Sequence, residues 1–180
     1  MKELKTERLI IRRFVESDWE DLYEYLSDEA VVYYEPYEVF PREKCQEEAR
    51  IRSVSKAFWA VCLQENGKMI GNLYFERGKY DTWEIGYVFN LKYQGQGYAA
   101  EAAKALLDEG FQNWGVRRVV AMCNPGNQQS WKLMERLGMR REGLLVKNIF
   151  FKSDEHGKPI WQDTYEYGIL KEEWNRKQRV

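Results

Sequence analysis

The chain has 180 residues, 44% of them hydrophobic and 15% aromatic, which is enough for one domain with a sizeable core and argues against two. Its 28 Lys and Arg against 29 Asp and Glu leave a formal charge of −1 with both signs interspersed, so it carries no footprint for nucleic acid or an anionic membrane surface. No basic-then-apolar leader opens the sequence, no stretch approaches the roughly 18 apolar residues of a membrane span, and cysteines at 45, 62 and 123 fit neither metal-ligand spacing nor an even disulfide framework. The expectation is a cytoplasmic protein with reduced thiols and no metal.

Residues 9–14 alternate apolar and basic side chains and predict a first strand. Ser17-Asp18 then offers an N-cap for a helix through Trp19, Leu22, Tyr23 and Leu26, ended by Ser27-Asp28. Residues 31–40 (VVYYEPYEVF) have no clean period, being crowded with aromatics and broken by Pro36 and two glutamates. A helix over 41–55, with Pro41 at its first position, has Cys45, Ala49 and Ile51 among few apolar positions, which predicts a mostly exposed helix.

Residues 58–63 and 69–75 predict strands joined by Glu65-Asn66-Gly67-Lys68, where Asn-Gly is a strong hairpin signal. A second turn at Gly78-Lys79-Tyr80-Asp81 leads into a third strand, residues 82–89 (TWEIGYVF), and the three form an antiparallel meander. Gly86 inside that strand marks a bulge or a close backbone approach. Beyond it, Ala102, Ala103, Leu106, Leu107, Gly110, Phe111 and Trp114 form a helical stripe opposite Glu101, Lys104, Asp108, Glu109 and Gln112, with Gly115 placed for a left-handed cap. Residues 118–123 predict a strand parallel to 82–89, if the helix is a right-handed crossover. Asn127 caps a short helix ended by Gly138. Residues 140–151 and 164–170 form a last hairpin around a polar loop at 153–159, and a short polar helix over 171–179 finishes one domain spanning residues 1–180.

The turn Gln94-Gly95-Gln96-Gly97-Tyr98-Ala99 opens a helix directly after a strand. Such a turn leaves several backbone N–H groups unpaired and pointing one way, and the helix dipole adds to their pull on an anion, so a pyrophosphate fits there. The turn lacks the Lys and Ser/Thr of a nucleoside-triphosphate loop. Gly95, Gly97 and Ala100 match a dinucleotide G-x-G-x-x-A, but the next strand ends in Cys123-Asn124-Pro125, where that fold wants an acidic residue, which disfavours a dinucleotide oxidoreductase.

Gln94, Gly97 and Ala99 fit the coenzyme A loop pattern Gln/Arg-x-x-Gly-x-Gly/Ala. Asn124-Pro125-Gly126-Asn127-Gln128-Gln129-Ser130, continuing to Leu137-Gly138-Met139, fits the helix motif that follows it. The chain thus resembles the GCN5-related N-acetyltransferases (GNAT). Through Thr6-Glu7-Arg8-Leu9-Ile10-Ile11-Arg12 and Ser27-Asp28 it resembles the branch that includes the ribosomal-protein N-terminal acetyltransferases. The resemblance covers nearly the whole chain. It implies a single-domain α+β fold whose central, mixed but mostly antiparallel sheet of about six or seven strands is flanked by helices. Acetyl-CoA is the implied co-substrate and an amine the acceptor, either a protein N-terminus or a small molecule. The resemblance further implies that the strand before the glycine loop splays from the next one and that the pantetheine arm enters the gap against Tyr87, Val88 and Phe89. The Val88 N–H then faces the thioester oxygen, and Gln94, Gly95, Gln96, Gly97, Tyr98, Ala99, Asn124, Asn127 and Ser130 hold the coenzyme.

Amide transfer from a thioester needs a base for the acceptor ammonium and a donor for the developing oxyanion. Glu84, on the same strand as the implied thioester site, is the candidate base. A solvated glutamate with a pKa of about 4.3 serves only if desolvation raises it or a water relays the proton; otherwise Glu84 is a surface carboxylate. Glu35 and Glu142 are rivals. Because Met134 stands where many family members carry a tyrosine, the candidate proton donor to the thiolate is Ser130 or water, or there is none; equally, Asn127 and Ser130 read as an ordinary cap. Cys123 fits a small hydrophobe better than a nucleophile, and His156, the sole histidine, gives no Ser-His-Asp hydrolase. Tyr33, Tyr34 and Glu35, with Tyr37 and Phe40, are expected to wall the acceptor pocket. A coenzyme A sensor without turnover is the alternative of another class, and monomer and homodimer both stand.

Overall fold

The computed structural model describes residues 3–177. Its eight strands are β1 (Leu4–Lys5), β2 (Leu9–Arg12), β3 (Phe58–Leu63), β4 (Met69–Arg77), β5 (Thr82–Phe89), β6 (Arg118–Cys123), β7 (Arg140–Ser153) and β8 (Pro159–Leu170). They form one sheet in the order β1-β2-β3-β4-β5-β6-β8-β7, slightly more strands than expected. Every neighbouring pair is antiparallel except β5 and β6, which the crossover helix joins in parallel. The helices are α1 (Trp19–Leu26), α2 (Glu29–Val32), α3 (Arg42–Val54), α4 (Tyr98–Asn113), α5 (Gln128–Arg136) and α6 (Lys171–Lys177); the part of the predicted C-terminal helix beyond residue 177 lies outside the described residues. Among the described residues no helix is long and apolar enough to cross a membrane.

Helices cover both faces of the sheet, and the strand residues alternate between two cores. Trp59, Val61 and Leu63 of β3 join the cluster that includes Leu106, Leu107 and Phe111 of α4. Ala60 and Cys62, pointing the other way, join Leu22 and Leu26 of α1 and Cys45 and Ala49 of α3. Burial on both faces is why β3 reads as an unbroken apolar run.

Four local expectations change. Asp18 caps no helix with its side chain; its carboxylate instead takes both Arg12 guanidinium nitrogens at 2.7 and 2.8 Å and the Val15 N–H at 2.9 Å, closing a 3-10 turn before α1. In α3, Pro41 is the N-cap rather than the first helical residue, and the third inward position belongs to Arg52, 3% exposed, while Ile51 is 44% exposed. Positions 45, 49 and 52 fall on one helical stripe and 51 lies a residue off it. Gly86 makes no bulge, since it pairs in register with Tyr74; the irregularity is on the other edge of β5. Finally, β8 starts at Pro159 rather than 164, so that β7 and β8 run on as a two-stranded ribbon past the last β6 pairing, Cys123 with Tyr165. Val146, Phe150 and Trp161 stand exposed on that ribbon.

Candidate active site

Strands β5 and β6 pair only from Thr82–Arg118 to Glu84–Val120. Beyond that point they diverge, as the family resemblance implied, leaving the β6-facing edge of β5 from Ile85 to Phe89 without a strand partner. A half-open cavity of about 1040 Å³ occupies the gap. Tyr87, Val88 and Phe89 form one wall. The glycine loop, the start of α5, the aromatic segment after α2 and the β7–β8 ribbon close the others.

The loop is built to present backbone. Asn90 accepts from the Lys92 N–H and starts a short 3-10 turn, and Gln94 Nε2 donates to the Phe89 carbonyl at 2.9 Å, bending the chain away from β5. Gly95 (φ 73°) and Gly97 (φ 86°) both take the left-handed conformation that side chains resist. Gly97 is the N-cap of α4, and no side chain caps that end. The uncapped helix start, with Gly95, Gly97, Tyr98 and Ala99 at the cavity wall, is suited to an anion.

On the far side, Asn127 accepts from the Ser130 N–H at 3.2 Å and so caps α5. Asn124 is engaged on both ends, accepting from Gly126 N–H at 2.8 Å and donating to Gln162 at 3.1 Å. Both line the cavity with Ser130. Tyr87 reaches across from β5, its hydroxyl 3.0 Å from the Ser130 carbonyl oxygen and 3.0 Å from Ser130 Oγ. Burial pushes the Tyr87 phenol well above its ordinary value, so it stays protonated. Burial likewise raises the Cys123 thiol, which disfavours a thiolate nucleophile. Met134 is 1% exposed and serves as core.

Three carboxylates were rivals, and their surroundings separate them. Glu142 is held by Arg118 at 3.0 and 2.5 Å and by Arg140 at 2.7 Å, which keeps it below the usual carboxylate range, and it is absent from the cavity wall. Glu84 lines the cavity at an exposed position directly across from Glu76, and partial desolvation together with that like charge raises its pKa. Glu35 lines the cavity half-buried, and burial pushes it up to about 7 against the opposing hydrogen bond from Tyr37 and the charge of Arg52. Beside it lies a network the sequence did not announce. Arg52 donates to Glu48 at 2.7 Å and to Asn72 at 3.1 Å, and the buried Tyr25 hydroxyl donates to the same Asn72 oxygen at 2.8 Å. The stripe at 45, 49 and 52 was the available signal for that buried arginine.

Two expected site residues fall elsewhere. Tyr33 is 64% exposed, stacked edge-on against Tyr34 and under Lys152, and does not line the cavity, whereas Tyr34, Glu35, Tyr37 and Phe40 do. A short helix, α2, turns position 33 outward, and sequence alone gave that segment no period. Gln96 also stands off the wall; its side chain donates to the Lys92 carbonyl and its own carbonyl accepts from Arg8, so it shapes the loop from outside. A dinucleotide fold is excluded by the mostly antiparallel sheet, in which, among the described residues, only β5 and β6 pair in parallel.

Comparison with known proteins agrees with this geometry. Residues 8–140 match the family described as Acetyltransferase (GNAT) domain. The chain is 41% identical over 175 residues to the uncharacterized N-acetyltransferase YnaD of Bacillus subtilis (strain 168), covering 96% of this chain and 99% of that one. The crystal structure of an acetyltransferase (GNAT family) from Bacillus anthracis superposes with a TM-score of 0.87 at 40% identity, over 95% of this chain and 99% of that one. The ribosomal-protein-S5-alanine acetyltransferase from Vibrio fischeri shares the fold, with a TM-score of 0.77 at 20% identity over 97% and 99% of the two chains. With a matching domain, a relative of nearly equal length and the splayed strands beside a glycine-capped helix, this chain is an N-acetyltransferase of the GNAT family.

Proposed function

We propose that the protein moves the acetyl group of acetyl-CoA to a primary amine by direct attack, the acceptor being a protein N-terminus or a small amine, with residues 1–180 acting as one domain. The observation that carries this is the single cavity joining the free edge of β5, the uncapped start of α4 and, among its carboxylates, Glu35 and Glu84. In this reading the backbone N–H groups of the glycine loop hold the pyrophosphate, and the edge of β5 at Tyr87, Val88 and Phe89 pairs with the pantetheine arm as a missing strand would. Asn124, Asn127 and Ser130 form the opposite lip.

A general base works best with a pKa near the working pH, and of the two carboxylates Glu35 fits that requirement more closely. Glu35 takes a proton from the acceptor ammonium, and the neutral amine attacks the thioester carbonyl carbon to give a tetrahedral adduct. That adduct collapses with loss of the second nitrogen proton to solvent as the carbon–sulfur bond breaks and the sulfur leaves. In this reading Tyr87, whose hydroxyl lies within hydrogen-bond distance of the Ser130 carbonyl and Oγ, returns a proton to that sulfur. A thiol with a pKa near 8.5 is already a fair leaving group, so this last step needs little help. Glu84 is the second reading for the base, favoured by its place on β5 itself.

Release of free coenzyme A from acetyl-CoA, followed over a panel of amines and short peptides, tests the proposal and identifies the acceptor class. Turnover with at least one amine is expected. Tight binding of acetyl-CoA with no turnover on any member would make the protein a sensor instead.

A further inference from the structure

The N-terminal Thr6-Glu7-Arg8 has no part in the chemistry above, yet its side chains converge on the coenzyme loop. Thr6 Oγ1 donates to Glu101 Oε1 at 2.6 Å, the Arg8 backbone N–H donates to the same oxygen at 2.9 Å, and Arg8 Nε donates to Oε2 at 2.7 Å. From there Nη1 of Arg8 donates to the Gln96 carbonyl at 3.1 Å. The guanidinium lies 4.3 Å from the centroid of the Tyr98 ring, and its Nη2 is 3.4 Å from where a Cβ on Gly97 would stand. One arginine therefore contacts positions 96 and 98 together with the carboxylate one turn into α4, and lies beside Gly97.

The grip is anchored in the sheet. Thr6 Oγ1 accepts the Leu9 N–H at 3.0 Å, and the Arg8 carbonyl accepts the Gln64 N–H at 2.9 Å, tying the segment to the ends of β2 and β3. This matters because a loop with two left-handed glycines and no capping side chain has backbone freedom that side-chain contacts from outside it can remove. Any ordering left undone in the free protein is charged against ligand affinity. Glu101 adds a second need, since a carboxylate in the first turn of α4 repels a phosphate at that turn unless it is neutralised.

We propose that Thr6, Arg8 and Glu101 form a clamp that presets the loop for the coenzyme A pyrophosphate and cancels the Glu101 charge beside it. These are positioning residues, remote from the reacting atoms. The inference rests on reading the loop as the coenzyme site. It differs from a merely structural tie, which would cost stability without changing affinity.

The test is calorimetric titration of coenzyme A into the wild-type protein and the variants Arg8→Ala, Arg8→Lys, Thr6→Val, Glu101→Gln and Arg8→Ala/Glu101→Gln, with a melting curve for each and steady-state kinetics for those that turn over. Arg8→Ala should weaken coenzyme A binding and raise the KM for acetyl-CoA about tenfold while kcat stays within about twofold, as expected when ordering and charge-assisted bonds are lost. Arg8→Lys should not recover that affinity, because an ammonium cannot fork between a carboxylate and a carbonyl. The double variant should bind more tightly than Arg8→Ala, since the unpaired carboxylate has gone. If Arg8→Ala fails to fold, Thr6→Val carries the test, with a severalfold weaker affinity for coenzyme A. Variants that melt lower yet bind coenzyme A as the wild type does, or that lose kcat instead of affinity, overturn the clamp. A wild-type protein that does not bind coenzyme A at all would instead refute the reading of the loop, a separate outcome.

Discussion

The Tyr87 hydroxyl, carried by β5, stands 3.0 Å from Oγ of Ser130 in the first turn of α5, bridging the gap that the two elements enclose. Tyr87→Phe removes the only proton that side chain has to give. If the pair protonates the departing sulfur, turnover should fall about tenfold to a hundredfold, at the low end for a proton donor because a thiolate leaves readily. Affinity for acetyl-CoA should change little, and Ser130→Ala should show a smaller fall of the same kind. Steady-state kinetics of both variants check this; unchanged kcat in Tyr87→Phe would leave the pair a structural tie.

Asn127 presents a clean contrast, because its observed contact is a cap on the Ser130 N–H. Asn127→Ala should lower unfolding free energy by about 1 kcal/mol. Urea denaturation measures the loss. If kcat falls as much as in Tyr87→Phe, the residue does more than cap.

For Glu35, burial sets both a rate profile and a stability profile. Wild-type turnover should rise with pH through about 7 as the carboxylate ionises, and Glu35→Gln should flatten that limb and lower turnover about 100- to 10,000-fold. The stability sign runs the other way. A carboxylate whose folded pKa is raised from 4.5 to about 7 contributes stability that is intact below the unfolded value and is lost as pH rises through the folded one, because the unfolded chain releases the proton first. Glu35→Gln should therefore melt higher than wild type at pH 8 and lose that advantage by pH 4.

Glu84→Gln relieves the like-charge pair with Glu76 and should cost turnover less than tenfold, well below the range of a positioned base. A loss of about a hundredfold or more at Glu84 with a mild effect at Glu35 would return the base to β5.

Much of this fold was readable because local signals agreed. Asn66-Gly67 set the hairpin, the stripe from Ala102 to Phe111 set α4, and Gly95 and Gly97 took the backbone conformation for which glycine is suited. Gly115, left-handed just past α4, matched its reading as a cap as well. What failed depended on tertiary context. Nothing in residues 31–40 distinguishes the outward Tyr33 from the inward Tyr34 and Glu35, because the turn that separates them is set by packing on α1 and α3. The sequence reading singled out Ile51 and passed over Arg52, whose buried contacts with Asn72, shared with Tyr25, come from residues distant in sequence. The contact between Tyr87 and Ser130 was hidden likewise, since Ser130 lies on another element.

The central claim is that the left-handed glycine turn at the mouth of the β5–β6 gap binds acetyl-CoA. Thermal melting with acetyl-CoA, NAD and ATP at equal concentration tests it most directly, because a ligand of the native state raises its apparent stability. Acetyl-CoA should raise the wild-type Tm and the two nucleotides should not. Gly97→Glu, which places a charged side chain where φ is 86°, should abolish the shift. A larger shift with NAD, or an equal acetyl-CoA shift in a folded Gly97→Glu protein, would contradict the claim.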